Sequence, residues 1–206
     1  MKKLFTTLVL LLVLVGALNI TTSYSQTNNV VLELCTGTWC QYCPCGHVIA
    51  DAILQAYPNM LVLEYHGPAN TASDPFSFFP GNNILNLHGY AYYPNGVIGR
   101  RSGLISRGAW SGQASYQATL TPDVTIDIVK SFNTTTRELS VTANVTSTRP
   151  IDSTVNVNYT LSESNLVYPQ TGNTSAGCIG GTNYVHKHVV RNMVNGALGE
   201  QISSGS

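Results

Sequence analysis

Apolar positions along the chain change rhythm at three places. Residues 4–17 are almost uniformly apolar. Residues 30–35 and 60–65 are short apolar runs, the pattern left by strands buried on both faces. Between them Val48, Ile49, Ala52, Ile53, Leu54 and Ala56 recur at helical spacing, which predicts a helix over 41–57. Thr36-Gly37-Thr38 separates the first strand from that helix, and Pro58-Asn59 ends it. A polar, Gly/Pro-rich excursion covers 66–80, and a short helix is expected over 82–88. Pro94-Asn95-Gly96 opens a strand through Val97 and Ile98. Arg101-Ser102-Gly103 reads as a hairpin turn back to Leu104 and Ile105, and a helix over 107–120 carries Trp110 and Tyr116.

From Pro122 onward the period is two. Val124/Ile126/Ile128, Leu139/Val141/Ala143/Val145 and Val155/Val157/Tyr159/Leu161 alternate with polar residues, and turn-rich intervals separate them. A further strand is expected over 184–194. This texture predicts an antiparallel β-sandwich behind an α/β domain, divided as 26–120 and 121–206. Three good strands and one candidate would leave a raw sheet edge, so the sandwich is expected to be incomplete here, through truncation or because a partner supplies strands.

Composition narrows the function classes. The 206 residues hold 10 basic and 10 acidic side chains, a formal net charge of zero and only 10% charged residues. With 22 Thr and 18 Asn the polar surface is mostly uncharged. No basic stripe exists to bind nucleic acid, and no charged tail or coiled coil is indicated. Lys2 and Lys3 precede the apolar run, and Ser23-Tyr24-Ser25 follows it with small residues at cleavage spacing. That layout is a secretory signal peptide over 1–25, with Gln26 as mature start. An uncleaved anchor is disfavoured because the run is shorter than the ~20 residues a spanning helix needs. The chain is therefore expected to be exported, to periplasm, outer membrane or cell surface, where its five cysteines meet an oxidising space.

The chemically loaded segment is Trp39-Cys40-Gln41-Tyr42-Cys43-Pro44. A Cys-x-x-Cys where a strand hands over to a helix places the first sulfur at the helix N-terminus, where unsatisfied N–H groups and the dipole favour a thiolate. The second sulfur lies one turn further, in reach to close a disulfide. Cys40, exposed beside Trp39, is then expected to be the nucleophile and Cys43 the resolving thiol, with Pro44 in the first turn, where its missing N–H costs little.

The order strand, Trp-Cys-x-x-Cys, helix, strand, helix, Pro-led strand and hairpin resembles a thioredoxin-like fold. The resemblance implies that Tyr93-Pro94 supplies the cis-proline that shapes a substrate groove beside Trp39 and the cysteines. More narrowly, four segments are similar to the Omp28-related proteins of Bacteroidetes-type bacteria. They are Thr36–Pro44, Tyr65-His66, Tyr93–Ile98 and Tyr184–Arg191. Those proteins also run from a signal peptide through a thioredoxin-like domain into a β-rich domain, so the resemblance implies an envelope or outer-membrane-associated protein. The chain departs from the pattern at Leu34, where thioredoxins keep a buried carboxylate (Glu33 is next door), at Cys35 and Cys45, and at Arg100, which follows Gly99 where Asp-Arg is typical.

Other readings of the thiols stay open. Cys35-x4-Cys40-x2-Cys43 has the spacing of a plant-type iron–sulfur loop, with Cys178 as a distant fourth ligand, and four thiolates could also hold zinc. Against both, Cys35 ends an apolar strand, so the expectation is no metal and no cofactor. A plain Cys40–Cys43 staple is the alternative to redox chemistry; so short a loop beside Trp at a helix start favours redox. Cys35 reads as a buried inert thiol. Cys45 cannot easily pair with Cys43 and is left to compete for Cys40 or meet a partner; Cys178 reads as the odd thiol. His186 and His188, at i and i+2, read as a solvated strand face before a metal pair, and His66 as a loop histidine that could approach the thiols. Tyr90-Ala91-Tyr92-Tyr93 reads as groove wall or as core. Four Asn-x-Ser/Thr matches, at Asn133, Asn144, Asn158 and Asn173, are what a Thr- and Asn-rich chain produces by chance.

The sequence therefore points to an exported thiol–disulfide oxidoreductase whose partners are protein thiols or disulfides and a redox partner protein. The alternative is a non-catalytic binding protein of the outer membrane or surface.

Overall fold

The computed structural model describes residues 28–67, 74–77 and 82–203; the expected signal peptide lies outside them. In chain order the elements are β1 (Val31–Thr36), α1 (Cys43–Ala56), β2 (Leu61–His66), α2 (Asn82–His88), β3 (Asn95–Ile98), β4 (Ile105–Ser106) and α3 (Trp110–Ala118). Then follow β5 (Val124–Asn133), β6 (Glu138–Ser147), β7 (Val155–Val157), β8 (Thr160–Glu163), β9 (Leu166–Val167), β10 (Val185–His186), β11 (Val189–Met193) and β12 (Glu200–Ser203).

Six strands form one mixed sheet in the order β4-β3-β1-β2-β11-β8. β1 runs parallel to β2 with Leu34 opposite Glu64, and antiparallel to β3 with Cys35 opposite Asn95. Because β1 is central, both its faces are covered and its side chains divide between two cores. Leu32 and Leu34 pack with Ala50 and Ile53 of α1 and with Trp110 and Ala114 of α3. Cys35 packs on the opposite face with Tyr65, Ile84, Leu85, Val190 and Met193. The fully buried Trp110 donates its indole N–H to the Ile105 carbonyl at 3.2 Å, so its polar atom is satisfied inside the core.

Two expectations are corrected. The buried stripe of α1 is Cys43, Pro44, Gly46, His47, Ala50 and Ile53, while Val48 is 68% exposed. Of the apolar positions Ile53 is buried and Ile49 and Leu54 pack against the core, but the helix also presents Gly46 and His47 to the sheet, which hydrophobicity does not mark. The second correction concerns residues beyond Pro122, which form no sandwich among the described residues. β5 and β6 make a separate two-stranded ribbon, β7 pairs with β12, β9 with β10, and β8 and β11 extend the main sheet. The stretch expected as one strand over 184–194 is broken at His188, where φ is +54°. Period-two alternation identifies strands but does not choose their partners. An open groove of about 1630 Å³ runs past the ribbon, lined by Ile126, Ile128, Leu139, Val141, Val155 and Leu161 among others.

Candidate functional site

The C-terminal end of β1 delivers the chain into a tight loop before α1. The Cys40 N–H bonds the Gly37 carbonyl at 3.0 Å and the Cys43 N–H bonds the Cys40 carbonyl at 3.3 Å. Helix α1 then begins at Cys43, with Pro44 in its first turn and no side-chain cap at Tyr42. Cys40 and Cys43 are joined in a disulfide, Cα–Cα 5.4 Å. The expected exposure of Cys40 is corrected: it is 4% exposed, because the chain around the loop closes over it, and Cys43 is fully buried.

Trp39 folds back over Gly37, where a Cβ would stand 2.6 Å from the indole nitrogen; this is why the position is glycine. The indole N–H donates to the Gly67 carbonyl at 3.0 Å, and the ring meets Tyr93 edge-on at 5.1 Å between centroids. The Tyr93–Pro94 bond is cis, and Pro94 lies against α1 so closely that a Cβ at Gly46 would sit 3.1 Å from its ring. Since Cys35 is opposite Asn95, Pro94 is level with the end of β1. Trp39 thus meets Tyr93, and Pro94 meets α1 at Gly46, three residues after Cys43. Of the aromatic run, Tyr90 turns inward to donate to the Glu33 carbonyl, and Tyr92 is exposed.

Beneath the loop lies a polar cluster that spacing did not foretell. Asp74 accepts from the Thr38 N–H at 2.7 Å and from His66 Nδ1 at 3.0 Å, tying His66 to the thiol loop. Burial opposes ionisation of Asp74, but the hydrogen bond and charge of His66 and the N–H groups of Thr38 and Phe76 outweigh it and hold the carboxyl below its ordinary range. His47, one turn after Cys43, bonds Thr36 Oγ1 and the Tyr184 hydroxyl, each at 2.8 Å. Burial, then the neighbouring histidines, pushes His47 down to about 3. Glu64, 3.6 Å from His47, is raised well above the usual carboxyl range by burial and then by Asp51. Burial thus disfavours the charged form of both groups. His186 is buried against His66, Phe76 and Tyr184 and pushed down to about 4 by burial and by His66. It is therefore not on a solvated strand face, and His188, at the break, is half-buried.

Glu33 turns to the other side of β1. Arg100 clamps it with two bonds of 2.7 and 2.9 Å, and Tyr65 donates to it at 2.7 Å. Burial works against the charge, yet Arg100 foremost, with His88 and Tyr65, carries the carboxyl down to about 2. Cys35 is the free thiol: buried, donating to the Tyr92 carbonyl at 3.4 Å and pushed up to about 12 by burial. Such a thiol is inert.

The remaining cysteines correct the sequence reading. Cys45 is bonded to Cys178, 133 residues away, so neither is odd and neither competes for Cys40. The spacing carried no sign of this pair. Gln170, buried and unnoticed among many uncharged polar residues, donates its amide to the carbonyls of Gly37 (3.1 Å) and Cys40 (3.0 Å). Among the described residues no group of three or more His, Cys, Asp and Glu side chains is arranged to hold a metal ion.

Fold and site together define a disulfide-bonded α/β protein whose cysteine loop is tied to a buried polar cluster and whose first helix meets a cis-proline. The family model described as Outer membrane protein Omp28 matches residues 82–206, more than half of the chain, and the chain belongs to that family. It is accordingly an exported protein of the cell envelope or surface. Among solved structures it is similar to HBP35 of Porphyromonas gingivalis, 20% identical with a TM-score of 0.63, over 87% of this chain and 60% of that one. It is also similar to protein AGR_C_4864 from Agrobacterium tumefaciens, 14% identical with a TM-score of 0.54, over 89% of this chain and 77% of that one. The chain thus spans 60% of the HBP35 chain. No curated protein matches it.

Proposed function

We propose that this Omp28 family member is a thiol–disulfide oxidoreductase of the envelope, built on a thioredoxin-like body. In this reading residues 26–120 supply the body, and residues 121–206 add β8 and β11 to its sheet. The observation that carries the reading is the Cys40–Cys43 disulfide at the mouth of α1, with Trp39 against Tyr93 and cis-Pro94 against Gly46 of the same helix.

The Cys40 thiolate attacks one sulfur of a substrate disulfide, forming a mixed disulfide and releasing the other substrate sulfur as a thiolate. Cys43 then attacks the Cys40 sulfur, closing the Cys40–Cys43 bond and freeing the second substrate thiolate. Two electrons pass to substrate; the reverse sequence oxidises a dithiol. The start of α1, whose first N–H groups lack intrahelical partners, favours the Cys40 thiolate as attacking or leaving group. Substrates are protein thiols or disulfides, a redox partner protein resets the pair, and the outer membrane is the expected neighbourhood.

A second reading has one observation in its favour, the low exposure of Cys40. In that reading the disulfide is a staple and the protein binds a partner at the outer membrane or surface. Trapping separates the two. In the oxidoreductase reading Cys43→Ser accumulates mixed disulfides through Cys40, and they disappear in the Cys40→Ser/Cys43→Ser double variant. Absence of adducts, with a Cys40–Cys43 potential below about −300 mV, establishes the staple.

A further inference from the structure

The Cys40 loop is held along its backbone by a single piece of chain. Beyond β9 the backbone turns into an irregular hairpin over 168–184. Its arms are joined by Tyr168 to Tyr184 and by reciprocal bonds between Gln170 and Gly181 and between Asn173 and Cys178. The arms approach so closely that a side chain at Gly180 would collide with the Gln170 carbonyl. The hairpin lies along the thiol loop. Gln170 bonds the Gly37 and Cys40 carbonyls, the Thr171 N–H bonds the Thr38 carbonyl at 2.8 Å, and the Asn173 amide bonds Gln41 at 3.3 Å. Its tip is fastened to α1 by the Cys45–Cys178 disulfide. One helical turn therefore carries a sulfur of each disulfide: Cys43 closes the loop, and Cys45 holds the cover over it.

We infer that Cys45–Cys178 is a second thiol–disulfide exchange site, acted on by a dithiol reductant at the Cys45 sulfur, and that its opening uncovers Cys40. The direction of attack follows from burial: Cys178 is fully buried, whereas Cys45 is half-buried. A thiolate of the dithiol bonds to Cys45 while the Cys45–Cys178 bond breaks, and Cys178 leaves with the electron pair and takes up a proton. The second thiol of the reductant then attacks the mixed disulfide, releasing Cys45 as a thiolate and leaving the reductant as its disulfide. Two electrons have moved, and the cover is held by hydrogen bonds and by the ring contacts of Tyr168 and Tyr184 at its base, with no covalent tie at its tip. Local opening of the tip is then more frequent, because its covalent tie to α1 is gone. Gln170 is the main hydrogen-bonded anchor, since its amide is buried and reaches two loop carbonyls.

The inference rests on the oxidoreductase reading for its purpose. Its test needs no protein substrate, so its failure and the failure of trapping are separate results. The fully oxidised protein is reduced stepwise with dithiothreitol, quenched with an alkylating agent and read by peptide mass. Cys45 and Cys178 are expected to be modified first, and Cys40 only in molecules whose Cys45–Cys178 bond is already open. In Cys45→Ser/Cys178→Ser, Cys40–Cys43 opens at least about tenfold faster than in the native chain. Gln170→Ala, which keeps every thiol, gives a smaller acceleration. The inference is overturned if Cys40–Cys43 opens in native molecules with Cys45–Cys178 intact, at the rate seen once that bond is gone. The native order of opening decides this even if the double serine variant fails to fold.

Discussion

β1 and β5 are both apolar-rich strands, yet they meet opposite fates. β1 lies in mid-sheet with five of its six residues buried, while β5 and β6 form a ribbon with Ile126, Ile128, Val129, Phe132, Leu139 and Val141 exposed. The difference teaches where this molecule's stability and chemistry reside. The main sheet has helices on its faces to receive its side chains; the ribbon, among the described residues, has no second layer.

The largest expected effect tests that contrast by truncation. Trp110→Ala removes a fully buried indole from the α3 face and is expected to cost about 3–5 kcal/mol. Phe132→Ala on the ribbon, at 52% exposure, is expected to stay within about 0.5 kcal/mol. Denaturant titration of both variants is the check, and a ribbon variant as costly as the core one would break the comparison.

Ion pairs sharpen it. Arg100→Ala strands the buried Glu33 carboxylate and is expected to cost about 2–3 kcal/mol, less than a fully buried pair because the Arg100 side chain is 40% exposed. Arg149→Ala, breaking the exposed pair with Asp123 at the ribbon's base, is expected to leave the same titration unchanged.

The two buried carboxyls of the body give opposite pH signatures. Glu33 falls to about 2 on folding from an ordinary 4.5, so its contribution is complete above the unfolded value and is lost as pH falls from about 4.5 towards 2. Glu64 is raised on folding, so its neutral form stabilises below the unfolded value of 4.5 and that contribution is lost as pH rises through and beyond it. Stability measured against pH is expected to lose its acid limb in Glu33→Gln, in proportion to what remains of the fold. In Glu64→Gln the decline as pH rises past the unfolded value is expected to flatten.

These contrasts also mark what was legible in the sequence. The elements from β1 to β3 were readable because runs buried on both faces, Gly/Pro breaks and the Cys-x-x-Cys motif are local signals. The Tyr93-Pro94 segment was marked by a family resemblance, and its place against Gly46 and Trp39 is a matter of the fold. The face of α1 was read only in part because Cys43, Gly46 and His47 carry little hydrophobicity although the sheet receives them. The pairing of β8 and β11 with the main sheet, and of Cys45 with Cys178, depends on chain reversals that no spacing rule encodes. Glu64 and Asp74 look like ordinary surface acids until β2 and the following loop bury them. Gln170 has no sequence signal at all in a chain whose polar residues are mostly uncharged.

The most direct measurement is turnover of a fluorescently labelled disulfide-linked peptide with dithiothreitol as electron donor, comparing the native chain with Cys40→Ser. Catalysed reduction by the native chain that falls to the uncatalysed rate in Cys40→Ser is the result predicted. Equal rates with and without the native protein, once Cys45–Cys178 has been opened, would contradict the assignment of redox chemistry to Cys40.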